Sequence, residues 1–261
     1  MASQHTGYVD STYLDTASGL LSELKRSSYE QMRLQPGHRV LDAGCGPGTD
    51  TVPLAQLVGA SGRVIGVDRD ADMVAEAERR VSEAGVAAWA THIQADVSDL
   101  PFPSASFDAC RSERLFEHLN EPARALSEIT RVVRPGGWIV VLDSDWGSLS
   151  IDTCEVDAER RLVHFFTEHM VNNGYSGRQL YRLFMKQGLA DVTVEVCGIP
   201  LIDYALARQV LLLDGCEREA LTSGVVSGEE LESMHAWWNQ AAADGAFFAS
   251  MSMMLVSGRN L

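Results

Sequence analysis

The chain has 261 residues and a formal net charge of −15, with an isoelectric point near 4.8. This length suits one α/β domain with additional elements, and it can bury a full hydrophobic core. A nucleic-acid partner requires a basic face, because neutralisation of phosphates supplies most of that affinity. No stretch dense in lysine and arginine occurs, so we expect no nucleic-acid partner and favour a small or neutral substrate.

Cysteine usage and the apolar runs indicate the compartment. Five cysteines are spread without a C-x-x-C pair, and their odd number argues against a disulfide framework. The first residues lack the apolar core of a secretion signal, and no apolar span is long enough to cross a bilayer. We therefore expect a reduced cytoplasmic protein without a membrane partner. The oligomeric state is not determined by these features, and a homodimer stays open.

Short apolar runs alternate with amphipathic stretches in the first part of the chain. Asp50, with Pro53 in the following turn, starts one predicted helix, and Asp70 is a plausible N-cap for a second. A third helix starts after Asn120 and ends where Pro135 breaks it. This alternation predicts βαβ units and a parallel sheet covered on both faces. The predicted strands are 39–44, 63–68, 89–96, 107–112 and 138–145.

The second part of the chain has a different order of elements. Two further strands are predicted at 191–203 and 247–258, and helical patterns cover residues near 152–175 and 204–245. Ligands bind at the carboxyl ends of the strands in open α/β sheets, and inserted helices can cover that end. We therefore interpret these two insertions, together with an N-terminal helical segment 1–34, as a substrate lid on a core of residues 35–261.

The stretch "VLDAGCGPGTDT", residues 40–51, contains a tight glycine turn directly after an apolar strand. Gly44 and Gly46 match the first two glycines of the dinucleotide fingerprint, but Thr49 replaces the third. No G-K-[ST] follows, which excludes a P-loop. Asp42 would repel a pyrophosphate, and its carboxylate suits a ligand that carries positive charge, such as S-adenosylmethionine.

Two more acidic residues follow the next strands of the predicted sheet. Asp68 ends the second strand, 24 residues after Gly44, where an acid can accept hydrogen bonds from both ribose hydroxyls. Asp96 ends the third strand, where its carboxylate could accept from an adenine amino group. Together with Asp42, these residues mark the ends of three successive parallel strands. The sequence therefore predicts one nucleotide crevice.

Residues from about 36 to 145 resemble a class I S-adenosylmethionine-dependent methyltransferase. The motifs "VLDAGCGPGTDT", "VIGVDRDADMV", "IQADVSDLPFPSASFD" and "LSEITRVVRPGGWIVVLD" occur in the family's order and spacing. The resemblance implies a doubly wound, Rossmann-like, seven-stranded sheet that is mostly parallel, with its last strand antiparallel. It also implies S-adenosylmethionine as the cofactor and S-adenosylhomocysteine as the product. The implied cofactor-binding residues are Asp42, Gly44, Cys45, Gly46, Asp68, Arg69, Met73, Asp96, Val97 and Arg111.

Within that set, the resemblance assigns individual roles. Gly44 and Gly46 would let the backbone approach the methionine part, and Asp68 would bind the ribose. Met73 would lie against the adenine ring, with Asp96 and the Val97 N–H near the adenine amino group. Arg111, expected just after the fourth strand, would offer its backbone carbonyl to the cofactor's amino group.

The stretch "CRSERLFEHLNEP", residues 110–122, follows the fourth strand and carries the candidate catalytic groups. Glu117 and His118 are similar to a Glu-His pair found here in some lipid and alkene carbon methyltransferases. We expect both near the catalytic mouth, with Tyr13 closing over the cofactor. Motifs typical of nucleic-acid methyltransferases are missing, which favours a small, partly apolar acceptor. Carbon is slightly favoured as the methylated atom, while oxygen and nitrogen stay open.

Two other functions remain alternatives at this point. An NAD(P)-dependent oxidoreductase would share the strand–turn–helix and the ribose acid, although Asp42 and Thr49 argue against it. A regulatory protein could keep the S-adenosylmethionine pocket without catalysis. If S-adenosylhomocysteine stabilises the protein against thermal unfolding and NAD does not, the oxidoreductase is excluded. Turnover of any methyl acceptor would exclude the regulatory protein.

Overall fold

A computed structural model describes residues 19–261. Within this range a single sheet contains the strands β1 Arg39–Ala43, β2 Arg63–Asp68, β3 Ala90–Gln94, β4 Phe107–Glu113, β5 Val133–Ile151, β6 Ala190–Leu201 and β7 Ala249–Arg259. The helices are α1 Ser22–Gln31, α2 Thr51–Val58, α3 Ala71–Glu83, α4 Pro122–Val132, α5 Val156–Phe165, α6 Ser176–Gln187, α7 Tyr204–Val210, α8 Leu213–Thr222 and α9 Gly228–Ala243.

The seven strands lie in the order β3-β2-β1-β4-β5-β7-β6. Strands β1 to β5 pair in parallel, whereas β7 is antiparallel to both of its neighbours, β5 and β6. The predicted doubly wound sheet with an antiparallel last strand is therefore confirmed. The strand order reverses beside β1, and such a switch point opens a crevice at the carboxyl ends of the strands.

The helices between the strands begin and end near the predicted residues. Asp50 is the N-cap of α2, and Pro53 lies in the first turn. Asp70 caps α3 by accepting a hydrogen bond from the backbone N–H of Asp72 at 2.9 Å. Gly85 follows that helix with a φ of 70°, a conformation that glycine adopts without strain.

Both faces of the sheet are covered, as the alternation of strands and helices predicts. On one face α4 and α6 bury apolar side chains against the strands, including Ile129 and Phe184. On the other face α2 packs through Leu54, and Leu21 and Met32, which flank α1, join the same core. The described part of the N-terminal segment is therefore a layer of the sheet's core.

The helices α5, α7, α8 and α9 form a third hydrophobic core of their own. It contains Trp146, Leu162, Met234 and Trp238, and the Trp238 indole N–H donates to the Asp152 carbonyl at 3.0 Å. This helical insertion attaches to the ends of β5 and β6 and to the start of β7. It thus lies at the carboxyl end of the parallel strands. Its action as a lid stays a prediction.

Two kinds of feature are absent from residues 19–261. None of the helices there has the length and apolar character needed to cross a membrane. No group of three or more histidine, cysteine, aspartate or glutamate side chains in that range comes together in a way that could hold a metal ion.

Candidate cofactor and acceptor site

A cavity of about 330 Å³ opens at the carboxyl ends of β1, β2, β3 and β4. The structure thus brings together the side chains and turns that the sequence placed at the ends of separate strands. The predicted cofactor residues that line the cavity are Asp42, Gly44, Cys45, Gly46, Asp68, Arg69, Met73, Asp96 and Val97.

The glycine turn after β1 is held against the end of β2. The N–H groups of Gly44 and Cys45 both donate to the Val67 carbonyl, at 2.8 and 3.0 Å. Gly44 has a φ of 70°, and a Cβ there would lie 2.9 Å from a methyl carbon of Leu115. A side chain at this position would therefore be strained and would displace the β4–α4 segment from the turn.

Asp68 is fixed by the backbone on both of its carboxylate oxygens. Oδ2 accepts from the Gly46 N–H and Oδ1 accepts from the Asp70 N–H, each at 2.9 Å. A carboxylate has about four acceptor positions, so lone pairs remain on both oxygens. The geometry is compatible with two ribose hydroxyls, and that role stays a prediction.

Arg111 lies elsewhere than predicted. The family resemblance placed it just after the fourth strand, but it lies inside β4, which continues to Glu113 and pairs with β5 as far as Leu142. Arg111 is paired inside the sheet with Asp42 and Val140, and its side chain is fully buried. Glu113 and Arg114 line the cavity instead. Arg111 does not line the cavity, and the backbone role assigned to it stays a prediction.

The guanidinium of Arg111 belongs to a buried charge network that the sequence did not reveal. Arg111 contacts Asp50 Oδ2 at 2.9 Å and Glu113 Oε2 at 2.5 Å, and Lys25 Nζ contacts the same two oxygens at 2.8 and 3.0 Å. Tyr29 on α1 also donates a short hydrogen bond to Asp50. Burial raises the pKa of Asp50, but Arg111 and Lys25 outweigh this and hold that pKa below its usual range. The network ties α1 to two lining residues of the cavity. The four-residue spacing of Lys25 and Tyr29 was its only sequence signal.

Asp42 is almost completely buried at the base of the cavity. Its Oδ2 accepts a hydrogen bond from the Thr51 hydroxyl at 2.8 Å. Burial and the nearby negative charge of Asp50 raise the pKa of Asp42 to about 7. A positively charged ligand beside this carboxyl would lower its pKa and favour the ionised form.

Glu117 and His118 point in different directions. They belong to a single 3-10 turn, Phe116–His118, in which His118 lines the cavity and Glu117 does not. Glu117 is 4% exposed, and its Oε2 accepts from the Trp146 indole N–H at 2.6 Å. The expectation that both residues lie at the catalytic mouth is therefore corrected for Glu117. The contact with β5 draws that side chain inwards.

Glu117 nevertheless remains close to His118 and to a second buried acid. Glu117 Oε1 lies 3.4 Å from His118 Nε2. Asp143 on β5 accepts hydrogen bonds from the Phe116 N–H and the Ser176 hydroxyl, at 2.8 and 2.6 Å. Burial raises the pKa of Glu117, and burial together with Glu117 raises the pKa of Asp143 to about 7. Burial also lowers the pKa of His118, which favours a neutral imidazole at the cavity wall.

Comparison with known proteins gives matches to methyltransferases. A model of the methyltransferase domain matches residues 41–141. An uncharacterised 37.1 kDa protein of a Streptomyces fradiae transposon is 36% identical over 248 residues, which are 94% of this chain and 70% of that protein. The ubiquinone/menaquinone biosynthesis C-methyltransferase UbiE of Cellvibrio japonicus is 35% identical over 130 residues, 49% of this chain and 52% of the relative.

A solved structure extends the likeness to nearly the whole chain. The geranyl diphosphate C-methyltransferase of Streptomyces coelicolor A3(2) superposes with a TM-score of 0.59 and 18% identity, covering 92% of this chain and 76% of the other. At that identity the likeness concerns the fold alone. The chain belongs to the class I S-adenosylmethionine-dependent methyltransferases. It spans about half the length of the UbiE relatives that it matches.

The charge of the cavity agrees with the cofactor of this methyltransferase family. The lining includes eight acidic residues and three arginines. Such an excess of acids attracts the sulfonium and ammonium groups of S-adenosylmethionine and repels the pyrophosphate of a dinucleotide. The acidic members are Asp42, Asp50, Asp68, Asp70, Asp96, Asp99, Glu113 and Glu121.

One predicted catalytic residue of the methyltransferase cannot be placed. Tyr13 lies outside the described residues, which begin at residue 19. Its predicted position over the cofactor therefore stays a prediction. The same holds for the part of the 1–34 segment that precedes residue 19.

Proposed function

We propose that this methyltransferase transfers a methyl group to a small, partly apolar molecule, at a carbon atom. The observation that carries the proposal is His118, whose imidazole lines the cavity with the buried Glu117 carboxyl 3.4 Å from its Nε2. Carbon acceptors lose a proton during methylation and need a base, whereas many nitrogen acceptors do not. The names of UbiE and of the geranyl diphosphate enzyme, both C-methyltransferases of small molecules, support the same class.

S-adenosylmethionine supplies a methyl group made electrophilic by its sulfonium. The residues of this chain must then align the acceptor in line with the breaking S–CH₃ bond and remove one proton. His118, which lines the cavity, is the residue that would take the acceptor proton, and Glu117 Oε1 lies 3.4 Å from its Nε2. Glu117 stabilises the imidazolium that forms, so it acts as a positioning residue for His118.

The helical insertion would contribute the apolar wall of the acceptor site. Trp146 belongs to the core of that insertion and also donates its indole N–H to Glu117. Its ring lies 4.7 Å from the ring of Phe166, between centroids. The insertion thereby contacts the turn that carries His118. A lid built on these helices would exclude water while the proton is transferred.

The proposal is tested by methyl transfer from labelled S-adenosylmethionine to prenyl, quinol and amine acceptors. The methylated atom is located by NMR of the product. We expect carbon products, and His118→Gln should lower single-turnover rates by about 10²- to 10⁴-fold with the cofactor dissociation constant unchanged. His164→Gln, an exposed position on α5, is the matched control.

Three outcomes contradict parts of the proposal. Nitrogen products with normal His118→Gln rates would overturn the carbon assignment. A normal rate for that variant on a carbon acceptor would remove His118 from the mechanism. Cofactor binding without turnover across the acceptor panel would favour the regulatory alternative.

A further inference from the structure

A line of polar side chains runs from the protein surface to the base of the cofactor cavity. Glu78 Oε1 on α3 lies 3.1 Å from Nδ1 of His92 on β3, and His92 Nε2 lies 3.1 Å from Thr51 Oγ1. Thr51 in turn contacts Asp42 Oδ2 at 2.8 Å. The Glu78 side chain is 44% exposed, whereas that of His92 is completely buried. Residues from four different elements thus form one continuous hydrogen-bonded chain.

The position of the His92 ring is enforced by its neighbours. A Cβ on Gly66 would lie 2.3 Å from His92 Cδ2, so only glycine at that point of β2 leaves room for the ring. A Cβ on Gly48 would likewise approach Nε2 to 3.4 Å. The backbone N–H of His92 also donates to Glu78 Oε1. The imidazole is therefore held with one nitrogen towards Glu78 and the other towards Thr51.

The Thr51 hydroxyl has a single hydrogen, and this limits how the chain can be protonated. The Glu78 carboxylate can only accept, so a neutral His92 carries its ring proton on Nδ1 and donates it to Glu78. Nε2 of that neutral ring has no proton and accepts a hydrogen bond from the Thr51 hydroxyl. The Thr51 oxygen then accepts from a protonated Asp42. In the other arrangement Thr51 donates to an ionised Asp42, and Nε2–H of an imidazolium donates to Thr51. Both arrangements contain the same number of protons.

We propose that binding of the cationic cofactor moves one proton from Asp42 to His92 through the Thr51 hydroxyl. The Asp42 Oδ2–H bond breaks as a proton joins Thr51 Oγ1, and the original Thr51 hydrogen passes to His92 Nε2. Asp42 then presents a full negative charge to the cofactor, while the new imidazolium faces Glu78. His92 is thus a positioning residue for the cofactor site. The inference rests on cofactor binding in the cavity and is independent of the acceptor.

The charges around the two end groups favour this direction. Asp42 is faced by Asp50 on α2, Arg111 on β4 and Lys25 on α1, and His92 by Glu78. Burial and Asp50 raise the pKa of Asp42 to about 7, whereas burial lowers the pKa of His92 against the opposing effect of Glu78. Before the cofactor binds, these opposite shifts favour the arrangement with the proton on Asp42. A nearby cation lowers the pKa of Asp42 and so favours transfer of the proton to His92.

Calorimetric titration with S-adenosylmethionine at pH 6, in two buffers of different ionisation enthalpy, measures the protons released on binding. The wild-type protein should release few protons, because His92 retains the proton that leaves Asp42. Its affinity for S-adenosylmethionine should change little from pH 6 to pH 8. His92→Gln cannot take the proton, so it should release about one proton and lose affinity roughly tenfold per pH unit below 7. His164→Gln, at an exposed position, is the matched control.

Thr51 provides a second test that leaves the buried histidine intact. Thr51→Val interrupts the chain and should behave as His92→Gln does, whereas Thr51→Ser keeps the hydroxyl and should restore wild-type values. NMR of ¹⁵N-labelled histidine should show His92 changing from the neutral form to imidazolium when S-adenosylmethionine is added. Equal proton release and equal pH profiles in the wild type, His92→Gln and Thr51→Val would overturn the proposal.

Discussion

Removal of the Asp68 carboxylate is the most direct test of how the nucleoside is held. Both oxygens already accept one backbone N–H each and retain acceptor capacity towards the cavity. Hydrogen bonds to charged groups contribute about 1.5–3 kcal/mol each. Two ribose hydroxyls would therefore give at most about 3–6 kcal/mol, so Asp68→Ala should weaken cofactor binding by roughly 10²- to 10⁴-fold.

The variant also releases the Gly46 N–H and the Asp70 N–H, so a loss of affinity could come from a disturbed glycine turn. A double-mutant cycle separates the two causes. The second change is made in the ligand, with S-adenosylhomocysteine and its 2′,3′-dideoxy analogue titrated calorimetrically into both proteins. The dideoxy analogue has no ribose hydroxyls to bond to Asp68. If Asp68 binds the ribose, Asp68→Ala should therefore lower the affinity for this analogue only slightly. An equal loss for both ligands would refute direct ribose binding.

Three further predictions concern the turn, the buried tryptophan and the pH dependence of stability. Gly44→Val should abolish cofactor binding in calorimetry while the circular dichroism spectrum stays native, because a Cβ would lie 2.9 Å from Leu115; measurable affinity would contradict this. Trp146→Phe removes the indole donor to buried Glu117, and urea unfolding should show a loss of about 1–3 kcal/mol; unchanged stability would show that the bond is dispensable. Burial and Glu117 raise the pKa of Asp143 from 3.8 to about 7. The unfolded state therefore binds fewer protons in that window, and this carboxyl makes stability fall as pH rises from 4 to 7. Scanning calorimetry should show a smaller fall for Asp143→Asn, and an equal fall would contradict the assignment.

The sequence predicted which residues come together around the cavity because the signals for their positions are local. The glycine turn and Asp68 each follow directly from a short apolar strand, and parallel strands bring their carboxyl ends to one edge of the sheet. The seven-stranded sheet and its antiparallel last strand came from the family resemblance. Helix starts such as Asp50 and Asp70 are also local signals.

The residues that were misplaced or missed depend on contacts between distant parts of the chain. Glu117 is drawn inwards by Trp146, 29 residues later. The Arg111 side chain is held inside the protein by Asp50, 61 residues earlier in the chain. Lys25 reaches the cavity only through Asp50 and Glu113. Such contacts are not visible in spacing or periodicity.

The place of β7 in the sheet has a consequence for how the protein is synthesised. β7 follows β6 in the chain but lies between β5 and β6, and within residues 19–261 β6 has no other strand neighbour. When β6 leaves the ribosome, the position beside it is still empty, so this edge of the sheet can form only after residues 249–259 have emerged. The strands of the cofactor cavity, β1 to β4, precede it by more than a hundred residues. The nucleotide half can therefore be organised during translation, while the other half waits until residues 249–259 have emerged.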